Sequence, residues 1–210
     1  LPPVVLTLHD GRKIALRGKI DRIDRWEGDE GVYLLVSDYK SSRRDIDPTR
    51  LWYGLQLQLL LYLQAACEGL DGNPAGAFYF TIQDPLVDAD DAKEAAEKAI
   101  AKKLHLKGVV LADVDVVEAL DSEPGYSFTK VFTRDNTVAA AADAYTPEEM
   151  AALLTHARKM AAELSDRIRS GEITPSPAAI GEWDACQWCD CAGVCKLDLS
   201  LPGHGKRELP

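Results

Sequence analysis

At 210 residues the chain is long enough for one domain that buries most of its apolar surface without a disulfide framework. Hydrophobic residues at 46% and charged residues at 28% exclude a disordered chain, and no apolar run approaches the roughly 20 residues of a membrane span. A net charge of −10 argues against a uniformly basic nucleic-acid binder, but the acid is unevenly spread. Residues 1–50 carry ten Lys or Arg against nine Asp or Glu, so the surplus of acid lies in the remaining 160.

The chain opens LPPVVLTLHDG, with neither an initiator methionine nor the charged-then-apolar pattern of a secretory leader, and is expected to be a piece of a longer protein. VVLTLHDGRKIALRGKIDRID reads as two strands joined at Asp10-Gly11, the second running on toward WEGDEG. VYLLVSDYK follows, apolar on both alternating faces, as expected of a central strand covered on both sides. Residues 50–70 are apolar nearly all round and predict one buried helix ending near Gly69, with a strand, GAFYFTIQ, after it. A helix is expected over 88–105, with acids at its start and lysines toward its end. Short elements and loops follow, including LKGVVLADVDVVEALDSE, SFTKVFTRDNT and an alanine run at 139–142. The clearest helix starts at Thr146, with Pro147 next, Glu149 completing a capping box and Gly171 past the end. Its core stripe is Met150, Leu153, Leu154, Ala157, Met160, Ala161, Leu164 and Ile168; His156, with no partner motif, reads as a surface histidine.

The apolar strand ends in charge at Asp38 and Lys40. If Gly28–Gly31 form a four-residue turn without a bulge, antiparallel pairing sets Asp21 opposite Asp38, with β-carbons about 5 Å apart. Two carboxylates so placed repel unless a cation sits between them, and a hard divalent ion suits the pair. Alternation along the strand brings Lys40 out on the face of Asp38, where an ammonium can orient water and offset developing negative charge. Alone, an Asp-x-Lys is usually no more than a strand end reaching solvent. Arg22, Arg25, Arg43 and Arg44 are candidate contacts to a phosphate backbone or, equally, a solvated rim.

Four of the five cysteines lie within ten residues, CQWCDCAGVC at 186–195, which suggests metal ligation in a reducing, cytoplasmic setting. Tetrahedral zinc is one reading, although zinc sites usually draw ligand pairs from two separated segments. Cys67, on the apolar helix, reads as a small hydrophobe.

Taken together, GKID, SDYKSS and GLQLQLLLYL resemble the PD-(D/E)XK nucleases of the RecB-like group. The resemblance implies that Asp21, Asp38 and the main-chain carbonyl of Tyr39 bind the catalytic Mg²⁺ or Mn²⁺, and that Lys40 assists hydrolysis. The family's Gln-x-x-x-Tyr is matched by Gln58 and Tyr62, which at i and i+4 share a helix face, with Gln56 as the competing glutamine. CQWCDCAGVCKLD, together with KGVVLADVDVVEALD and SGEITPSP, is similar to the AddB-type subunits of bacterial helicase-nucleases. That similarity implies a 4Fe-4S cluster held by Cys186, Cys189 and Cys195, its fourth ligand upstream of this chain, with Cys191 or Cys67 as substitutes. A further metal ligand is likewise expected upstream.

The expected fold is α/β: a restriction-endonuclease-like mixed central sheet flanked by helices, with residues 1–183 as nuclease core, 184–198 as cysteine segment and 199–210 as tail. The implied activity is metal-dependent exonucleolytic hydrolysis of DNA in a helicase-nuclease complex that processes double-strand breaks, with an AddA-like subunit as partner and no membrane. A DNA-end-binding module that does not cut and a stand-alone CRISPR-associated RecB-like exonuclease are the alternatives.

Overall fold

The computed structural model describes residues 1–82, 100, 103–120, 143–202 and 204–210. The helix expected over 88–105 lies largely outside these residues, as do the stretch 127–137 and the alanine run 139–142.

Strands β1 (Val4–Thr7) and β2 (Lys13–Leu16) form the antiparallel hairpin expected around Asp10-Gly11, Val4 facing Leu16 and Gly11 turning at φ +80°. The second strand does not run on unbroken. The chain leaves the ribbon at Arg17 and enters the central sheet only at β3 (Arg22–Gly28). Gly18 lies in the break, pressed so closely on Tyr62 that a β-carbon there would fall 2.8 Å from the ring.

β3 turns through Gly28–Gly31 into β4 (Gly31–Lys40), in which Tyr33 through Asp38 are all buried. Beyond β4 come β5 (Asn73–Thr81), β6 (Lys107–Leu111) and β7 (Ala144–Tyr145), giving a five-stranded mixed sheet in the order β3-β4-β5-β6-β7. The β4–β5 and β6–β7 pairs are parallel and the others antiparallel. A strand covered on both faces has no polar side to present, which is why β4 reads as a continuous apolar run.

The helix expected over 50–70 is two: α1 (Pro48–Trp52), capped by Asp47, and α2 (Gln58–Leu70). Gly54, at φ +80°, breaks them apart, a conformation that L side chains rarely adopt. α2 packs on β4 and β5 through Leu59, Leu60, Leu63 and Ala66, none more than 1% exposed. At about 1.5–3 kcal/mol for each buried leucine, this face anchors the helix. A third helix, α3 (Val114–Leu120), packs on β3 and β6 through Val116 and Val117.

The capping box of Thr146 and Glu149 forms at the start of α4 (Pro147–Arg169), which packs against α2. Its stripe is buried at Met150, Leu154, Ala157 and Ala161 but has run out by Ile168, which is 76% exposed because the helix outruns its partners. Among the described residues no helix is long and apolar enough to cross a membrane.

The C-terminal part forms a small sheet of its own, in the order β10-β8-β9, from β8 (Ala178–Ile180), β9 (Trp183–Asp184) and β10 (Arg207–Leu209). A short 3-10 helix, Ala185–Trp188, and a single turn, α5 (Ala192–Cys195), carry the cysteines. The last residues therefore return to pair in parallel with β8.

Candidate active site

The register of β3 on β4 pairs Gly28 with Gly31 and Arg22 with Ser37, so the next step sets Asp21 opposite Asp38, as the turn length implies. Asp21 precedes the strand and is exposed, and its Oδ2 accepts a hydrogen bond from the Tyr39 backbone N–H at 3.0 Å. Asp38 is 4% exposed.

Lys40 emerges on the same face, its Nζ against Asp38 Oδ2 in an ion pair and 5.6 Å from the centre of the Tyr79 ring. Gln58, the first residue of α2, reaches across: its Oε1 accepts from Lys40 Nζ at 3.4 Å, and its Nε2 lies 3.4 Å from Asp38 Oδ1 and 3.1 Å from the Tyr62 hydroxyl. One turn of α2 separates Gln58 from Tyr62, which is how the helix presents both side chains to the strand end.

Gln56 points elsewhere. Its amide accepts from the Asp47 backbone N–H at 2.8 Å and donates to the Asp45 carbonyl at 3.1 Å, bracing the loop between β4 and α2. Of the two glutamines, Gln58 is the one that faces the carboxylate.

Asp38 Oδ2 is buried and makes no hydrogen bond, with the Lys40 ammonium against it. A carboxylate oxygen in that condition, with a second carboxylate opposite, is the donor chemistry of a hard divalent cation. Among the described residues no three His, Cys, Asp or Glu side chains converge on one point, so these residues offer two carboxylates rather than a complete cage.

The arginines proposed for phosphate contact are mostly engaged. Arg22 pairs with Asp24, Arg25 with Glu27 and Arg43 with Asp45. Arg22 also stands opposite Ser37, on the sheet face away from Asp38, where the Asp24 carboxylate and the Tyr39 hydroxyl hold its guanidinium proton more tightly than usual.

All five cysteines are free thiols; Cys186 is half-buried and Cys189, Cys191 and Cys195 are exposed. Exposed thiols are the right soft donors for iron or zinc, but here they do not form a closed cage. Partial burial, then the nearby Asp184 carboxylate, pushes the Cys186 thiol up.

Two features of this region were not anticipated from the sequence. Asp184 accepts from the Cys186 backbone N–H and pairs with Lys206 of the tail at 2.5 Å, and the Arg50 guanidinium lies 4.4 Å from the centre of the Trp183 ring. The Lys206 and Arg50 contacts are long-range pairings between residue types too common to stand out in a sequence. His156 stacks on Trp52 at 4.1 Å and contacts its carbonyl, a packing role.

A mixed five-stranded sheet that ends its buried strand in Asp38 and Lys40, with a glutamine and a tyrosine from the next helix turned onto them, is the architecture of a nuclease family. The PD-(D/E)XK nuclease superfamily pattern matches residues 3–196, and the chain belongs to that family.

Among its relatives, a Moorella thermoacetica protein named as the B subunit of an ATP-dependent helicase/deoxyribonuclease is 38% identical over 220 residues, covering 100% of this chain and 19% of that protein. Proteins of the same name from Alkaliphilus metalliredigens and Thermoanaerobacter sp. are each 35% identical, over 100% and 97% of this chain. The chain spans about a fifth of the length of these curated relatives.

Proposed function

We propose that this chain is the metal-dependent DNA-cutting unit of a helicase-nuclease, hydrolysing phosphodiester bonds as broken DNA ends are processed for recombinational repair. The observation that carries the reading is the buried Asp38 carboxylate held among Lys40, Gln58 and Tyr62, with Asp21 opposite.

Asp21, Asp38 and the Tyr39 carbonyl would hold a divalent ion, Mg²⁺ or Mn²⁺, which would supply positive charge against the scissile phosphate and lower the pKa of water. Lys40 orients the attacking water and offsets charge on the phosphate. Gln58 holds Lys40 and Asp38 in register, and Tyr62 fixes Gln58.

Cys186, Cys189 and Cys195 would hold a 4Fe-4S cluster whose fourth thiolate comes from outside this chain. Bound there, it would fasten the C-terminal part to the rest of the protein. An AddA-like helicase-nuclease is the expected partner, and relatives about five times the length of this chain favour a component of such a complex over a stand-alone exonuclease.

The test is Mg²⁺-dependent cutting of end-labelled linear DNA by the full-length protein. Asp38→Asn keeps the side chain's volume and is expected to slow cutting about a thousandfold, or ~4 kcal/mol of barrier. Wild-type cutting by this variant would sink the assignment, and DNA bound but uncut by the wild type would favour a non-cutting end-binding module.

A further inference from the structure

Beside the candidate site, between the ribbon and α2, lies a cavity of about 640 Å³, within the size range of small-molecule sites. Gln58 and Tyr62, which face Asp38 and Lys40 on one side, also line this cavity, so the two spaces adjoin across these side chains.

Its apolar walls come from residues 1–4, from Leu16 and Ile20 on the chain leaving the ribbon and from Leu61 and Ala65 on α2. Its rim carries the exposed cations Arg17 and Lys19. Among the described residues neither of these is in an ion pair, in contrast to Arg22, Arg25 and Arg43. Gly18, between them, lets the backbone close on the Tyr62 ring and so sets that ring as the partition between cavity and site.

We propose that this cavity receives one base of a single DNA strand next to the scissile phosphate, while Arg17 and Lys19 take the adjoining phosphates. An apolar slot beside two unpaired cations matches the alternation of base and phosphate along a strand, in which aromatic and apolar walls hold the base and cations follow the backbone. The proposal rests on the nuclease reading and adds to it a fixed register of the strand relative to Asp38.

The test measures binding to the full-length protein, in chelator so that no cutting occurs. The probes are a fluorescent oligothymidylate and matched strands in which one abasic position is walked along the sequence. One abasic position is expected to weaken binding about tenfold, the scale of a single held base. Ala65→Leu, which narrows the cavity, is expected to flatten that dependence.

Arg17→Glu, an exposed change that leaves the core alone, is expected to lower affinity and reduce the salt dependence by about one phosphate contact. Equal effects at every abasic position, or unchanged binding in Arg17→Glu, would overturn the proposal. A flat abasic profile with cutting still abolished by Asp38→Asn would remove the cavity proposal alone; cutting that survives in Asp38→Asn would remove the nuclease reading itself.

Discussion

Asp38 sits where a charge is expensive: 4% exposed, at the end of six consecutive buried residues, with one oxygen that makes no hydrogen bond. Lys40 meets it with an ion pair, and the proposed function would add a divalent cation. The neighbouring glutamines offer a sharper test of the site's reach. Gln58→Ala removes the bridge between Asp38, Lys40 and Tyr62 and is expected to lower the cutting rate about tenfold to a hundredfold. Gln56→Ala touches only the loop and is expected to affect stability more than rate, and the reverse order would reject the geometry. Cys67, by contrast, needs no functional account. Burial pushes its thiol up to about 11, so little thiolate exists near neutrality. Its alkylation in apo-protein is expected to lag the exposed Cys189, Cys191 and Cys195 at pH 8 and to accelerate as pH rises toward 11; reaction at equal rates would show that the site opens.

At the scale of elements, the central strand and the capped helix were legible because each repeats a pattern that its packing demands: β4 is apolar on both faces, and α4 opens on a capping box. The register of β3 on β4, which pairs Arg22 with Ser37 one step short of Asp21 and Asp38, was legible too, because a four-residue turn fixes both strands behind it. Breaks were harder to read. Residues 50–70 are apolar nearly all round, and hydrophobicity does not show that Gly54 turns the chain between α1 and α2; nor does it show that Gly18 lets the backbone cross Tyr62. Both depend on a contact or angle made only in the folded state. Gly54→Ala forces a β-carbon into φ +80°, 3.2 Å from the Met160 side chain. It is expected to cost about 1–2 kcal/mol, lowering Tm by roughly 4 °C. An unchanged Tm would mean that α1 and α2 are not held apart there.

Across the whole molecule, the parts meet around the strand end. The ribbon and α2 flank it, and α1, which follows it in the chain, carries Arg50 against Trp183 just before the cysteines. Lys206 then ties the tail to Asp184 at the root of the cysteine segment, a role no local pattern in the tail revealed. Under the proposed function the charge ending β4 is catalytic machinery, and Lys40 is the residue to change because its side chain is a quarter exposed and its loss opens no hole in the core. The decisive measurement is the single-turnover rate of end-labelled DNA cutting by the full-length protein and by Lys40→Ala at saturating Mg²⁺. DNA binding is expected to persist while the rate falls by about a hundredfold or more; a variant that cuts at the wild-type rate would contradict the nuclease assignment.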